Sequence, residues 1–232
     1  MKKIILVNTL LLFSVITNCQ SIIVDYHVKY NQTIYENQLK INDSSSVWLE
    51  LSQDENNNLE ELFMLKDFIH NKLYYSDILF SKTFYIEDSL HRMSWKLTDD
   101  TLNVMGFDCN SATTTFRGRK YIAFYTANIP LSNGPWKFGG LPGLILLVKS
   151  IDNEYEFRAT KYKNNKEDFP KDSYLTNHYI SWDIFKLEFI STIDKVIKKI
   201  KSTINKDERG YLKIDAPEII YPNVQTGKGI EY

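Results

Sequence analysis

Apolar and polar side chains alternate along most of the chain before residue 165. In the segment Ser21–Tyr30 apolar residues occupy nearly every second position, which is the period of a half-buried β-strand. Similar runs recur at about ten-residue spacing, as in antiparallel meanders. These runs are Thr33–Ile41, Ser46–Ser52, Lys72–Phe80, Phe84–Glu87, His91–Leu97, Thr101–Phe107, Ala112–Gly118, Lys120–Thr126, Leu141–Ser150 and Glu154–Tyr162.

Clusters of turn-forming residues separate the runs and predict hairpin turns between them. They are Asn56–Asn58, Thr98–Asp100, Arg117–Arg119 and Asp152–Asn153. The segment Leu59–Ile69 suits a helical turn as well as a strand, and both interpretations stay open here. The polar stretch Lys161–Lys171 predicts an exposed loop.

The hydrophobic period changes to 3.6 residues between Ser181 and about Ile204, which predicts one long helix. Ser181 offers an N-cap, and lysines near the far end complement the helix dipole. We expect this helix to lie across the sheet. Binding to an anionic membrane is the alternative, and the acidic residues that share the helix argue against it. After Gly210 we expect a short edge strand or an extended arm.

These patterns together predict a mainly β (α+β) fold. It consists of one curved, largely antiparallel sheet, for which a half-open barrel is one possible form, with a long C-terminal helix packed on it. The chain of 232 residues is 43% hydrophobic and 25% charged, which suffices for a core. Its formal charge of −1 gives no basic excess, and this argues against binding to nucleic acid.

The N-terminus predicts export. Lys2 and Lys3 precede an apolar run, Ile4–Ile16, that is too short to cross a bilayer, as in a secretory signal peptide. We expect residues 1–19 to be removed by cleavage between Cys19 and Gln20, leaving 20–232 as a single β-rich domain in the periplasm or outside the cell. A lipid anchor on Cys19 is the alternative, which Asn18 disfavours. No transmembrane span is expected in the mature chain.

The most unusual composition lies in residues 130–143, which hold three of the six prolines and four of the nine glycines. Such residues fix the backbone path without regular hydrogen bonds. Two interpretations stay open: a rigid loop that presents backbone groups and Lys137 to a ligand or partner, or a shaped crossover that enters a core strand. The candidate binding residues are Gly134, Pro135, Trp136, Lys137, Phe138, Gly140, Leu141, Pro142 and Gly143.

At these residues the chain resembles the GLPGLI family of exported Bacteroidetes proteins. The resemblance covers most of Val24–Thr160, and Phe124 departs from it, because the family usually has Trp there. It is carried by Gly134–Phe138, Gly140–Ile145, Met93–Leu97, Gly106–Cys109, Phe116–Arg119 and Ala123–Thr126. The resemblance implies export into a Gram-negative envelope and is compatible with an antiparallel β fold. It implies no activity, catalytic residue or cofactor.

No catalytic constellation is evident in the sequence. Cys109 is a candidate reactive thiol, but Asp108 disfavours its thiolate and a buried inert side chain is the simpler expectation. The four histidines show no metal-binding spacing, so we predict neither a metal nor a cofactor. We expect a non-enzymatic envelope module that binds a protein partner or an apolar ligand. The alternative is an envelope enzyme, a hydrolase or thiol-dependent, with a pocket near Cys109.

Overall fold

The computed structural model describes residues 21–30, 32–53, 59–165, 168–203, 210–213, 216–221 and 229–231. The strands are β1 (Ser21–Tyr30), β2 (Thr33–Ile41), β3 (Ser45–Gln53), β4 (Leu59–Asp67), β5 (Lys72–Leu79), β6 (Lys82–Ser89), β7 (Lys96–Val104), β8 (Phe107–Phe116), β9 (Arg119–Thr126), β10 (Leu144–Ser150), β11 (Tyr155–Asn165), β12 (Ile180–Ser181), β13 (Tyr211–Leu212) and β14 (Ile230–Glu231). A 3₁₀ helix covers Lys171–Leu175, and helix α1 covers Trp182–Thr203.

Twelve of the described strands form one curved sheet in the order β12-β6-β5-β4-β3-β2-β1-β11-β10-β9-β8-β7. All pairings are antiparallel except the short parallel contact of β12 with β6. The sheet is open, since β12 and β7 lie at its two ends within the described residues. The mainly β fold with one long helix is therefore confirmed. The chain is not one simple meander, because β1 pairs with β11 across most of the sequence.

One face of the sheet, here called the inner face, carries the main core. A rung of paired residues crosses five strands on this face, and it consists of Leu39, Trp48, Met64, Tyr75 and Ile86. All five belong to one hydrophobic cluster. The segment 130–143, helix α1 and the tail segment 216–221 contribute to the same cluster, so the inner face is covered.

The opposite, outer face has a second and smaller cluster formed by Val47, Phe63, Leu65 and Phe169. Phe63 contacts Tyr174 of the 3₁₀ helix, with ring centroids 4.9 Å apart. The chain between residues 168 and 179 thus covers part of the outer face. It then joins the edge of the sheet as β12 before helix α1 begins.

Helix α1 confirms the 3.6-residue prediction. Its buried side chains Phe185, Phe189 and Ile193 are spaced four residues apart, and Phe84 of β6 meets Phe185 edge to face at 5.4 Å. The Ser181 hydroxyl accepts a hydrogen bond from the Ile184 N–H at 3.3 Å, as expected of an N-cap. No helix among the described residues has the length and hydrophobicity needed to cross a bilayer.

Two predictions near β7 are wrong. The strand expected at His91–Leu97 begins only at Lys96, and Thr98–Asp100 is not a turn but part of β7. The register shifts between Thr98 and Thr101, so the two aspartates lie in a β-bulge on the edge strand. The actual turn is Met105–Gly106, where both residues have positive φ. The composition of Thr98–Asp100 resembles that of a turn, because Asp is common both in turns and in the bulges of edge strands.

The ambiguous segment Leu59–Ile69 is a strand through Asp67. The loop predicted at Lys161–Lys171 is wrong in its first part, because β11 continues to Asn165 through pairing with β1. The pairing satisfies its backbone groups whatever the side-chain polarity. The predicted signal peptide, the cleavage site at Cys19 and Gln20, and the turn Asn56–Asn58 lie outside the described residues.

Candidate functional site: a charged inner cavity

The Gly-Pro segment 130–143 is packed into the inner face of the sheet. Seven of its nine candidate residues are buried, whereas Gly140 and Pro142 are exposed. Leu141 and the following Leu144 and Ile145 are buried in the core as the segment enters β10. The segment is therefore part of the core, but it is not a crossover, because the strands that it joins, β9 and β10, pair directly and antiparallel. Trp136 and Lys137 nevertheless line a cavity.

The buried Lys66 of β4 binds three oxygen atoms of this segment, in addition to the segment's own backbone hydrogen bonds. Its Nζ donates to Asn133 Oδ1 at 2.9 Å, to the Gly134 carbonyl at 3.0 Å and to the Phe138 carbonyl at 2.6 Å. Burial lowers the pKa of Lys66 to about 7. The three acceptors oppose this shift, since only the ammonium form has three N–H groups to donate.

Aromatic contacts hold the same segment from the other side. Phe138 is fully buried, with its ring centroid 4.9 Å from Tyr121 and 5.7 Å from Phe157. Trp136 stacks on Phe157 at 6.1 Å. Trp95 donates from Nε1 to the Gly139 carbonyl at 2.8 Å. The backbone path of the segment is thus fixed by side chains from three strands, β4, β9 and β11, and by the stretch before β7.

Lys137 belongs to a buried network of four charges. Its Nζ lies 2.8 Å from Glu218 Oε2, and Glu218 Oε1 also accepts from Arg117 Nη1 at 2.5 Å. Arg117 in turn pairs with Asp88 of β6. Burial lowers the pKa of Lys137, and Glu218 opposes that shift. Burial also acts against the charge of Arg117, but Glu218 and Asp88 raise its pKa above the ordinary value.

The C-terminal tail segment 216–221 is held against the sheet by this network and by hydrogen bonds of its backbone. Ile219 N donates to the Arg117 carbonyl at 2.9 Å. Arg119 Nε and the Tyr121 hydroxyl both donate to the Pro217 carbonyl, at 3.1 and 2.6 Å. The tail was predicted as a short edge strand or an extended arm: β13 and β14 pair with each other and not with the edge of the large sheet, and the segment 216–221 lies across the inner face. Lys137 is thus directed to the protein's own tail.

A cavity of about 530 Å³ lies between the inner face, helix α1 and the tail. Its aromatic lining residues include Tyr30, Tyr35, Trp48, Tyr75, Phe80, Trp136, Tyr155, Phe185 and Phe189. Its charged lining residues are Glu50, Asp77, Lys137, Lys213 and Glu218. The volume is in the range typical of small-molecule sites, which run from about 300 to 1,000 Å³.

Glu50 and Asp77 lie at equivalent heights on the inner face. Glu50 follows Trp48 by two residues on β3, and Asp77 follows Tyr75 by two residues on β5. Trp48 and Tyr75 belong to the same row of paired residues, and strand β4 lies between β3 and β5. Two strand spacings place their backbones roughly 10 Å apart. Burial raises the pKa of Glu50, which a hydrogen bond from Asn37 opposes. Burial also raises the pKa of Asp77, to about 6, and Lys137 opposes this shift.

Two tyrosine hydroxyls in the cavity wall are unsatisfied. Tyr75 is 2% exposed, and within the described part of the chain neither its hydroxyl nor that of Tyr30 has a hydrogen-bond partner. Buried hydroxyls normally have a partner, and an exception requires an explanation such as a missing ligand or water. Together with the two carboxyl groups, these hydroxyls give an aromatic cavity several free polar positions.

Cys109 is buried in β8 and does not line the cavity. Burial raises the pKa of its thiol to about 11, and Asp108 acts in the same direction. The four histidines are all exposed. Within the described ranges, no three His, Cys, Asp or Glu side chains are grouped to hold a metal ion.

Glu50, Asp77, Lys66 and Glu218 are not among the residues predicted from the sequence. For the three residues on strands a signal was present, because each charge occupies the apolar register of its strand. Asp77, for example, follows Tyr75 and precedes Leu79, which are both buried. No comparable signal marks Glu218, whose contacts with Lys137 span 81 residues of sequence.

Comparisons with known proteins add a family match and a fold. The model of a family described as "Protein of unknown function (Porph_ging)" matches residues 117–147, which include the whole Gly-Pro segment. No curated protein matches the sequence. The family name inferred from the motifs stays a prediction.

Solved structures of PNGF-II share the fold. The structure in space group P21 matches with a TM-score of 0.56 and 16% identity, covering 72% of this chain and 32% of the PNGF-II chain. The structure in space group C2 matches with a TM-score of 0.55 and 16% identity, covering 76% and 33%. The chain thus spans about a third of the length of these structures. At this identity the likeness concerns the fold alone.

Proposed function

We propose that this protein binds a small amphipathic molecule in the inner cavity. The observation that carries the proposal is the Tyr75 hydroxyl, which is buried in the cavity wall without a hydrogen-bond partner among the described residues. A fold gains nothing from such a group, since a buried unsatisfied hydroxyl costs about 1–3 kcal/mol. A ligand that hydrogen-bonds to it would recover this free energy.

The electrostatics of Asp77 support the same proposal. A carboxyl group whose pKa is raised by burial lowers the stability of the folded state at neutral pH. Groups with perturbed pKa values cluster at functional sites, where burial and neighbouring charges are arranged to shift them. Asp77 makes no side-chain ion pair with another described residue, so its position serves a bound molecule better than it serves the fold.

The proposal refines the expectation from the sequence in two respects. The ligand is amphipathic rather than purely apolar, because polar groups converge in the cavity. Of the nine candidate residues, Trp136 and Lys137 line the cavity, and the others support the backbone that positions these two. Export through residues 1–19 and a location in the cell envelope remain part of the proposal.

A neutral amphipathic probe tests the cavity directly. Isothermal titration with 4-phenylbutan-1-ol should show one site in the wild-type protein. Val28→Trp should abolish that binding, because Val28 lines the cavity and the larger ring fills it. The matched control is His27→Trp on the same strand, whose side chain is exposed, and it should bind like the wild type. Equal binding by both variants, with both folded, would contradict the proposal.

A further inference from the structure

We propose that the ligand of the inner cavity is an organic cation, with a protonated amine beside an aromatic or alkyl body. This inference rests on the proposed function, because it names the chemical class of the molecule that the same cavity binds. Three features of the cavity support it: the charge balance, the aromatic walls and the unsatisfied hydroxyls.

The charged side chains around the cavity do not balance. Lys137 is neutralised by Glu218 at 2.8 Å, and Lys213 is paired with Glu154 at 3.3 Å. Glu50 and Asp77 are left, and neither has a cationic nitrogen within 4.0 Å among the described residues. Buried charges are normally paired. The missing charge in this cavity is therefore positive.

Asp77 is ionised under ordinary conditions despite its burial. Burial raises its pKa to about 6, which is still below neutral pH. A cation beside this carboxylate would gain an attraction strengthened by the low polarity of the site. A carboxylate or phosphate ligand would meet repulsion from Asp77, and this disfavours an anion.

Aromatic rings supply the second half of a cation site. The faces of Tyr and Trp rings attract ammonium groups, and the protein already uses this contact next to the cavity. Lys137 Nζ lies 4.1 Å from the centroid of the Tyr75 ring, and the Arg117 guanidinium carbon lies 3.7 Å from the Trp182 ring. Tyr30, Trp48 and Tyr155 line the cavity and present further rings.

The unsatisfied Tyr75 hydroxyl is an independent indication of a ligand. Its oxygen can accept a hydrogen bond from an N–H group of a bound amine. A metal ion is a poorer match, because the described residues hold no group of three metal-ligating side chains. An organic cation uses the carboxylates, the hydroxyl and the rings together.

Three probes of the same shape and different charge test the inference. Isothermal titration at pH 7.5 compares 4-phenylbutylamine, 4-phenylbutan-1-ol and 4-phenylbutanoate. We expect the amine to bind at least tenfold more tightly than the alcohol, and the carboxylate to bind most weakly. Equal affinities for amine and alcohol would overturn the charge inference while leaving the proposed function supported. Absence of binding by all three would overturn both.

A matched pair of variants assigns the preference to the cavity. Asp77→Asn should lower the amine affinity at least tenfold, so that amine and alcohol bind alike. Glu36→Gln removes the same charge from a side chain that is 90% exposed and should keep the wild-type ratio. An equal loss of amine affinity in both variants would show that the affinity depends only on the net charge of the protein, and this would overturn the inference.

Discussion

Gly143→Ala should destabilise the protein by at least about 3 kcal/mol. Gly143 has a φ of +151°, and a Cβ atom there would lie 2.1 Å from the Thr126 carbonyl oxygen and 2.6 Å from its carbon. Both contacts are with backbone of β9, so no side-chain rotation relieves them. The substitution must displace the entry to β10, which crosses the core. Urea unfolding of the two proteins measures the difference.

Two neighbouring glycines are the controls for this expectation. Gly139→Ala should change the free energy of unfolding by less than about 0.5 kcal/mol, because the nearest atom to its Cβ would be the Ser132 oxygen at 3.4 Å. Gly140→Ala should cost about 1 kcal/mol from its positive φ alone, since nothing lies closer than 3.8 Å. Equal losses at Gly139 and Gly143 would contradict the argument from the close backbone contact.

Glu218→Gln should cost about 3 kcal/mol, the second large effect. The amide keeps the shape of the side chain but removes the negative charge that neutralises Lys137, which is 6% exposed. Removing one partner leaves the other charge buried without compensation. Arg117 is affected less, because Asp88 still pairs with it. The measurement is again the free energy of unfolding in urea.

A double-mutant cycle separates the pair from its surroundings. Lys137→Met combined with Glu218→Gln should recover part of the loss, because no unpaired lysine is then buried. The control is the pair of Glu154 with the partly exposed Lys213, whose charged atoms lie 3.3 Å apart. Glu154→Gln weakens this contact and should lower the free energy of unfolding by at most about 1 kcal/mol. Additive losses in the double variant would show that Lys137 and Glu218 are not coupled.

The sequence predicted the elements whose signal is local. The alternating strands from Val24 onward and the amphipathic stripe of α1 each depend on neighbours a few positions away, and both are confirmed. The errors occurred where the local structure is determined by pairing with a strand that is distant in the sequence. The bulge at Asp99 and Asp100 depends on β8, and the last residues of β11 depend on β1.

The candidate site shows the same division. The concentration of glycines and prolines around Lys137 predicted a candidate binding residue there, and Lys137 does line the cavity. Its partner Glu218 could not be foreseen, because the two residues are 81 positions apart in the sequence and no local pattern links them. Asp77 carried a readable signal, a carboxylate in the apolar register of β5. From the sequence, that signal predicts only a charged side chain on the apolar face of the strand. The folded sheet shows in addition that this side chain borders a cavity.

The central claim is that Asp77 is held in the cavity for a ligand at the expense of stability. Because burial raises its pKa to about 6, the ionised carboxylate destabilises the fold at neutral pH, and this cost disappears as the pH falls from about 6 to below the ordinary value of 3.8. Asp88 is the structural counterpart, since it pairs with Arg117.

The most direct test is the free energy of unfolding of Asp77→Asn and Asp88→Asn, measured in urea at pH 7.5 without ligand. The account predicts that Asp77→Asn is more stable than the wild type by about 1–2 kcal/mol and that the gain shrinks toward pH 4. Asp88→Asn should be less stable than the wild type. A loss of stability in Asp77→Asn comparable to that in Asp88→Asn would contradict the claim, because Asp77 would then belong to the structural network.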